Sequence, residues 1–370
     1  MKALLPLSLP LHGGDLQQAS QHFDVPVEKW IDLSTGINPE PYPVTELDAA
    51  AFQQLPYLKP EFIQAAQSYY LGDDNTDLGM DNLLAVSGTQ AVIQLLPECV
   101  LSLPVLLPEL GYQEHRLQWL HSGAEVTNYP SIVHETSVSF ISKSLQQNNR
   151  QHLVIINPNN PSGLQFTPSQ LQVWAKSLAE GAYLIIDEAF MDTQPECSVL
   201  AEHFESNMIV LRSFGKFFGL AGLRLGFVFA NQELIQTLQK RLGLWAINGP
   251  AQSIATIAFQ DKAWQQQARV NISKAAKLSQ TLFTPLFIDL QKDQQNTHCV
   301  FHEALFSSYC LPIRYAERIS VFFAEQGILL RLIQFNHEYN LLRIGSINSK
   351  NKAGIGRIQE VVNLYLAQTA

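Results

Sequence analysis

Between Ser213 and Gly226 the chain reads SFGKFFGLAGLRLG, which sets Lys216 among small and apolar residues, with Ser213 shortly before it and Arg224 after it. A lysine in apolar surroundings has a depressed pKa, because desolvation disfavours its charged form, and a neutral amine can condense with an aldehyde. A hydroxyl and a guanidinium nearby suit a phosphate, since arginine offers a planar fork of donors that stays protonated. Read alone, a lysine beside a glycine is equally an ordinary solvated loop charge. The chemistry therefore depends on whether other segments complete a site for a phosphorylated aldehyde.

Four further segments do so, each at the end of an apolar run. The strand pattern LLAV is followed by Ser87, Gly88, Thr89 and an apolar helix, so free backbone N–H groups and a helix dipole face an anion; a plain strand-to-helix turn has the same look. Just beyond PVLLPEL comes Tyr112, placed to stack on a planar ring or to fill the core. The run LVIINPNNPSG ends in asparagines fixed by prolines, with Asn160 in position to reach a phenolate oxygen. YLIIDEAF ends in Asp187, where an unpaired buried carboxylate would be costly. A pyridinium nitrogen would balance it, and a carboxylate that keeps that nitrogen protonated strengthens the ring as an electron sink; a helix N-cap is the alternative. Together these residues call for pyridoxal 5'-phosphate.

Apolar strands alternating with helices, continued by MIVLRSF and RLGFVFA, predict an α/β domain with a mostly parallel sheet flanked by helices and its ligand-bearing turns along one edge. A polar helical stretch from Asp261 to about Phe283 leads to the last hundred or so residues, where the helix YAERISVFFAEQGI mixes with the strands ILLRLI and LLRIGS. That mixture predicts a small α+β domain. Arg331 and Arg343 sit inside these strand patterns, where an unpaired guanidinium is expensive, so anionic substrate groups are natural partners. Residues 1–45 are rich in proline and turn formers and predict an extended arm, with His12 and Asn38 as turn residues or ligands. The expected organisation is an arm (1–45), a large cofactor domain (46–265) and a small C-terminal domain (266–370).

The chain has 370 residues, 46% apolar and 15% charged, with a net charge of −9 and no run of Lys or Arg, which argues against nucleic acid as a partner. Cys99, Cys197, Cys299 and Cys310 form no CxxC pair and no metal-like spacing, so no metal site and a reducing cytoplasm are expected. Pro6 and Pro10 interrupt the N-terminal apolar run, and no run approaches the roughly 20 residues of a membrane span. A cytoplasmic enzyme acting on small molecules is the expectation.

The ordered set GTQ, NPNNPSG, DEAF, SFGK and GLRLG resembles the fold-type I pyridoxal-phosphate enzymes across nearly the whole chain, in the branch of histidinol-phosphate aminotransferases and of the threonine-phosphate decarboxylases of cobalamin biosynthesis. The resemblance implies Lys216 as the lysine joined to the cofactor aldehyde, Asp187 on the ring nitrogen, Asn160 on the ring hydroxyl and Tyr112 over the ring. Gly88, Thr89, Ser213 and Arg224 would hold the phosphate, Arg343 the substrate carboxylate, and His12, Asn38 and Arg331 the substrate phosphate. DEAF with Phe190, HGG and STGINP are similar to the decarboxylase group, whereas the aminotransferases usually carry a tyrosine at the Phe190 position. Leu110-Gly111 before Tyr112, in place of Pro-Thr, departs from the pattern, as does Leu55 before Pro56. The implied activity is decarboxylation of L-threonine O-3-phosphate by a homodimer. The alternatives are transamination of histidinol phosphate or a similar phosphorylated amino compound, and a scaffold that has lost catalysis.

Overall fold

The structure is a computed structural model that describes residues 13–44, 46–72, 78–287 and 300–369. In chain order its strands are β1 (Ile31–Asp32), β2 (Leu83–Val86), β3 (Val105–Pro108), β4 (Val126–Tyr129), β5 (His152–Ile156), β6 (Leu184–Asp187), β7 (Met208–Ser213), β8 (Gly226–Phe229), β9 (Val300–Glu303), β10 (Phe306–Pro312), β11 (Ile328–Leu329), β12 (Arg331–Gln334) and β13 (Tyr339–Gly345). The chain divides into two compact units: Glu40–Arg269, and the described residues up to Pro39 together with those from Val270 onward.

The larger unit is built on a seven-stranded sheet in the order β2-β8-β7-β6-β5-β3-β4. Strands β3 to β7 pair in parallel, while β8 runs antiparallel to both β7 and β2. Every residue of β2, β3, β5, β6 and β8 is buried, because helices cover both faces of such a sheet and leave no solvent side for polar alternation. The covering helices start at polar caps: Thr167 Oγ1 accepts from Gln170 N–H (3.3 Å), Asn231 Oδ1 from Leu234 N–H (2.9 Å) and Asn248 Oδ1 from Ala251 N–H (2.8 Å). On one sheet face Val86, Leu107, Val154, Ile185 and Leu211 pack with Leu96 of the helix Thr89–Cys99.

In the smaller unit an antiparallel sheet runs β12-β13-β10-β9. Alternation along the strands sends Leu332, Leu342, Ile344, Tyr309 and Leu311 into a core with Phe323 of the helix Ile313–Glu325. The same alternation puts Arg331, Arg343 and Ser308, which are cross-strand partners, on the opposite face. Asn336 sets this register: its Oδ1 accepts from Glu338 N–H (2.9 Å) and Tyr339 N–H (2.7 Å), closing the β12–β13 turn. The N-terminal segment, expected to be extended, is partly folded. Leu16–Phe23 is a helix capped by Asp15, whose Oδ1 accepts from Gln18 N–H (2.9 Å), and β1 pairs in parallel with β11. Leu16, Ala19 and Phe23 recur at helical spacing and pack with Trp30, a signal masked by the surrounding prolines.

Candidate active site

Strand register brings the turns of the larger sheet to one edge. Val86 and Ser213 both pair with Gly226, and Asp187 pairs with Ile156 on one side and Leu211 on the other. The segments carrying Gly88, Thr89, Tyr112, Asn160, Asp187, Ser213, Lys216 and Arg224 therefore share the carboxyl edge, where α/β sheets bind ligands.

At the β2 end, Gly88 has φ +76° and precedes the helix Thr89–Cys99. A Cβ on Gly88 would come 2.8 Å from Arg224 Nη2, and one on Gly226 would come 2.8 Å from Thr89 N. Both positions must stay free of side chain so that a guanidinium and a helix start can converge, and those two donor sets suit a phosphate. Arg224 itself is in the left-handed region (φ 53°), and its Nη1 donates to Ala221 O (3.4 Å). Ser213 immediately precedes the short helix Phe214–Phe217, which carries Lys216; the Lys216 Nζ lies 5.7 Å from the centroid of the Phe190 ring.

Asp187 ends β6 and is buried. Its Oδ1 accepts from Ala189 N–H (3.1 Å), and its Oδ2 lies 3.0 Å from His115 Nε2, which is equally buried. His115 was not singled out from sequence. The available signal was its place one turn after Tyr112 at the start of the helix Gln113–His121, which points both side chains the same way. The Tyr112 hydroxyl donates to Gln90 Oε1 (3.0 Å), while Gln90 Nε2 donates to Glu114 Oε2 (2.7 Å). Burial first, then the Glu114 and Asp187 carboxylates, push the Tyr112 phenol up to about 12, so it stays protonated.

The three asparagines of NPNNPSG divide their work. Asn157 holds the loop through Phe166, donating to its carbonyl (3.1 Å) and accepting from its N–H (2.8 Å). Asn159 Nδ2 donates to Leu110 O (2.8 Å) and Ser162 Oγ (2.7 Å). Asn160 is half-buried beyond the strand, between these anchors and a cis bond to Pro161.

The other candidates belong to the smaller unit. Arg331 and Arg343 stand opposite each other across β12 and β13. Arg343 is 7% exposed and donates through Nη2 to Ser34 O. Burial and then the Arg331 charge push Arg343 down to about 10, with Asp32 opposing in part; burial also lowers Arg331. Asn38 is buried in the same unit. His12 lies outside the described residues. Among the described residues no His, Cys, Asp and Glu side chains gather into a metal-holding group.

Residues 10–319 match the family model described as aminotransferase class I and II. Among curated proteins, a threonine-phosphate decarboxylase of Pseudomonas aeruginosa is 38% identical over 73% of this chain and 76% of its own. One of Sinorhizobium sp. is 34% identical over 69% and 73%. Among solved structures, a histidinol-phosphate aminotransferase from Sinorhizobium meliloti in complex with pyridoxal-5'-phosphate shares the fold at TM-score 0.74, with 17% identity, over 99% of this chain and 100% of that one.

Proposed function

Since the chain belongs to the aminotransferase class I and II family, we propose that it is a pyridoxal-phosphate enzyme that decarboxylates L-threonine O-3-phosphate to (R)-1-amino-2-propanol O-2-phosphate. The observation that carries this reading is the identity of 38% and 34% to two threonine-phosphate decarboxylases over about 70% of the chain. The carboxyl edge fits the cofactor: a side-chain-free cradle between Thr89 N–H and Arg224, and a buried carboxylate, Asp187, in contact with His115 one turn from Tyr112.

In this reading Gly88, Thr89, Ser213 and Arg224 hold the cofactor phosphate, Tyr112 covers its ring, Asn160 donates to its hydroxyl and Asp187 keeps its nitrogen protonated. When bound, pyridoxal phosphate supplies an aldehyde and an electron-withdrawing ring. Lys216 Nζ would hold that aldehyde. Arg331 and Arg343 orient the substrate through its anionic groups, and Asn38 and His12 assist at the substrate phosphate. By fixing those anionic groups the two arginines would orient the bond to the carboxylate, favouring loss of carbon dioxide over loss of the proton. The bond pair left behind must gain a proton at Cα, and the freed Lys216 Nζ is its donor.

A homodimer in the cytoplasm completes the proposal. Phe52, Leu55, Tyr57, Leu58, Leu244 and Trp245 are exposed apolar side chains of the larger unit, a surface that suits a second copy, and the free thiols Cys99 and Cys197 suit a reducing compartment. The cofactor assignment is tested by Lys216→Ala: purified wild-type protein is expected to show the absorbance of a lysine-bound cofactor, and the variant to lack it. An unchanged spectrum removes Lys216 from the site. The substrate assignment is tested by comparing L-threonine O-3-phosphate with L-threonine, and loss of the phosphate is expected to lower kcat/KM by about 100-fold. Equal turnover of both excludes a phosphate subsite.

A further inference from the structure

A cavity of about 580 Å³ opens in the larger unit, and none of the eight cofactor-edge residues lines it. One wall is the helix Pro60–Leu71, which presents Glu61, Gln64 and Ser68 at helical spacing. Another is the first two turns of the helix Lys262–Phe283, with Lys262, Gln266 and Arg269. Asp192, Arg212, Tyr69 and Tyr70 line its depth. Arg212 Nη1 donates to Glu188 Oε2 and Nη2 to Asp192 Oδ1, both at 2.7 Å, and the Tyr69 hydroxyl donates to the same Asp192 oxygen at 3.1 Å. Asp192 Oδ2, Arg212 Nε and the Tyr70 hydroxyl have no hydrogen-bond partner among the described residues, and Asp192, Arg212 and Tyr70 all line the cavity. Those atoms are closed off by the protein itself, so recognition of a ligand falls to the side chains on the cavity walls.

The distribution of sign selects the ligand class. At depth the Asp192 carboxylate is paired with the Arg212 guanidinium; on the walls the carboxylate of Glu61 accompanies the cations Lys262 and Arg269. A bare anion meets Glu61 and Asp192, and a bare cation meets Lys262 and Arg269. A molecule carrying both charges matches both sets. The volume lies within the ~300–1,000 Å³ typical of small-molecule sites. The cavity also backs onto the segment that carries the reactive lysine: Arg212 immediately precedes Ser213 in β7, and the Arg269 guanidinium lies 5.0 Å from the Phe217 ring centroid.

We propose that this cavity binds a small zwitterion, a molecule joining an ammonium to an oxyanion, at a site separate from the catalytic lysine. The proposal stands independently of the reaction assigned above. N,N-dimethylglycine is a suitable probe, because its tertiary ammonium cannot condense with an aldehyde and so cannot report on Lys216. Calorimetric titration of the holoenzyme is expected to show saturable binding in the millimolar range. Affinity should fall about tenfold or more in Lys262→Ala and in Glu61→Gln, both changes on exposed helix faces. Acetate and dimethylammonium, each carrying one half of the charge, should bind about tenfold more weakly, and Arg331→Ala should leave binding unchanged. The proposal is overturned by absence of saturable binding to the wild type, by wild-type affinity in either of the two variants, by acetate or dimethylammonium binding as tightly as the zwitterion, or by loss of binding in Arg331→Ala.

Discussion

Arg212 in the larger unit and Arg343 in the smaller are both buried within strands, at 2% and 7% exposure, yet their surroundings treat the charge in opposite ways. Burial alone would lower the pKa of Arg212, but Asp192 and Glu188 outweigh it and drive the pKa upward. Arg343 faces another cation, Arg331, and is driven down to about 10 despite Asp32. The first guanidinium is neutralised by its own chain and ties the segment after β6 to β7. The second is held where a further anion would improve its energy, which is the condition of a binding group. Burial of an arginine therefore says little about its role until the net sign of its surroundings is known.

This contrast predicts different losses. Arg212→Ala strands two buried carboxylates and should cost about 3–5 kcal/mol of stability, read by denaturant unfolding. Burial already raises the Glu188 pKa in spite of Arg212, and removing the guanidinium raises it further. A carboxyl whose folded pKa is raised favours the fold at low pH and loses that advantage as pH rises through the folded pKa, so the deficit should shrink on acidification. A deficit that grows as pH falls would contradict the pairing. Arg343→Ala should instead lower kcat/KM by about 10- to 100-fold, as expected for charge-assisted bonds of ~1.5–3 kcal/mol, while stability changes by less than about 1 kcal/mol. A large stability loss there would make Arg343 a second Arg212. Arg331→Ala, at a half-buried position, should cost about tenfold or less in kcat/KM. Inorganic phosphate should stabilise the wild-type holoenzyme as ligands do, by RT ln(1 + [L]/Kd), and should stabilise Arg343→Ala holoenzyme less.

The same contrast explains what the chain reveals before folding. Strand ends were legible because each chemical residue closes an apolar run: Asp187 after LII, Asn160 after LVIINPN, Lys216 after MIVLRSF. Pairing was not. Nothing local joins Arg212 to Asp192 or His115 to Asp187, since those partners are 20 and 72 residues apart and meet through strand order. The facing of Arg331 and Arg343 depends on the Asn336 turn, whose register moves every side chain between faces if it slips by one residue. The antiparallel return of β8 was hidden as well, because an apolar strand buried on both faces carries no mark of its direction.

Release of carbon dioxide tests the central claim most directly. Holoenzyme would be given L-threonine O-3-phosphate labelled with carbon-13 in the carboxyl group, with no keto acid present, and the label followed by nuclear magnetic resonance. The account predicts many turnovers, with the label leaving as carbon dioxide and the amine retained on the phosphorylated product. Label kept in the carboxylate, with nitrogen passing to 2-oxoglutarate once that acceptor is added, would contradict it and place the chain among the transaminating members of its family.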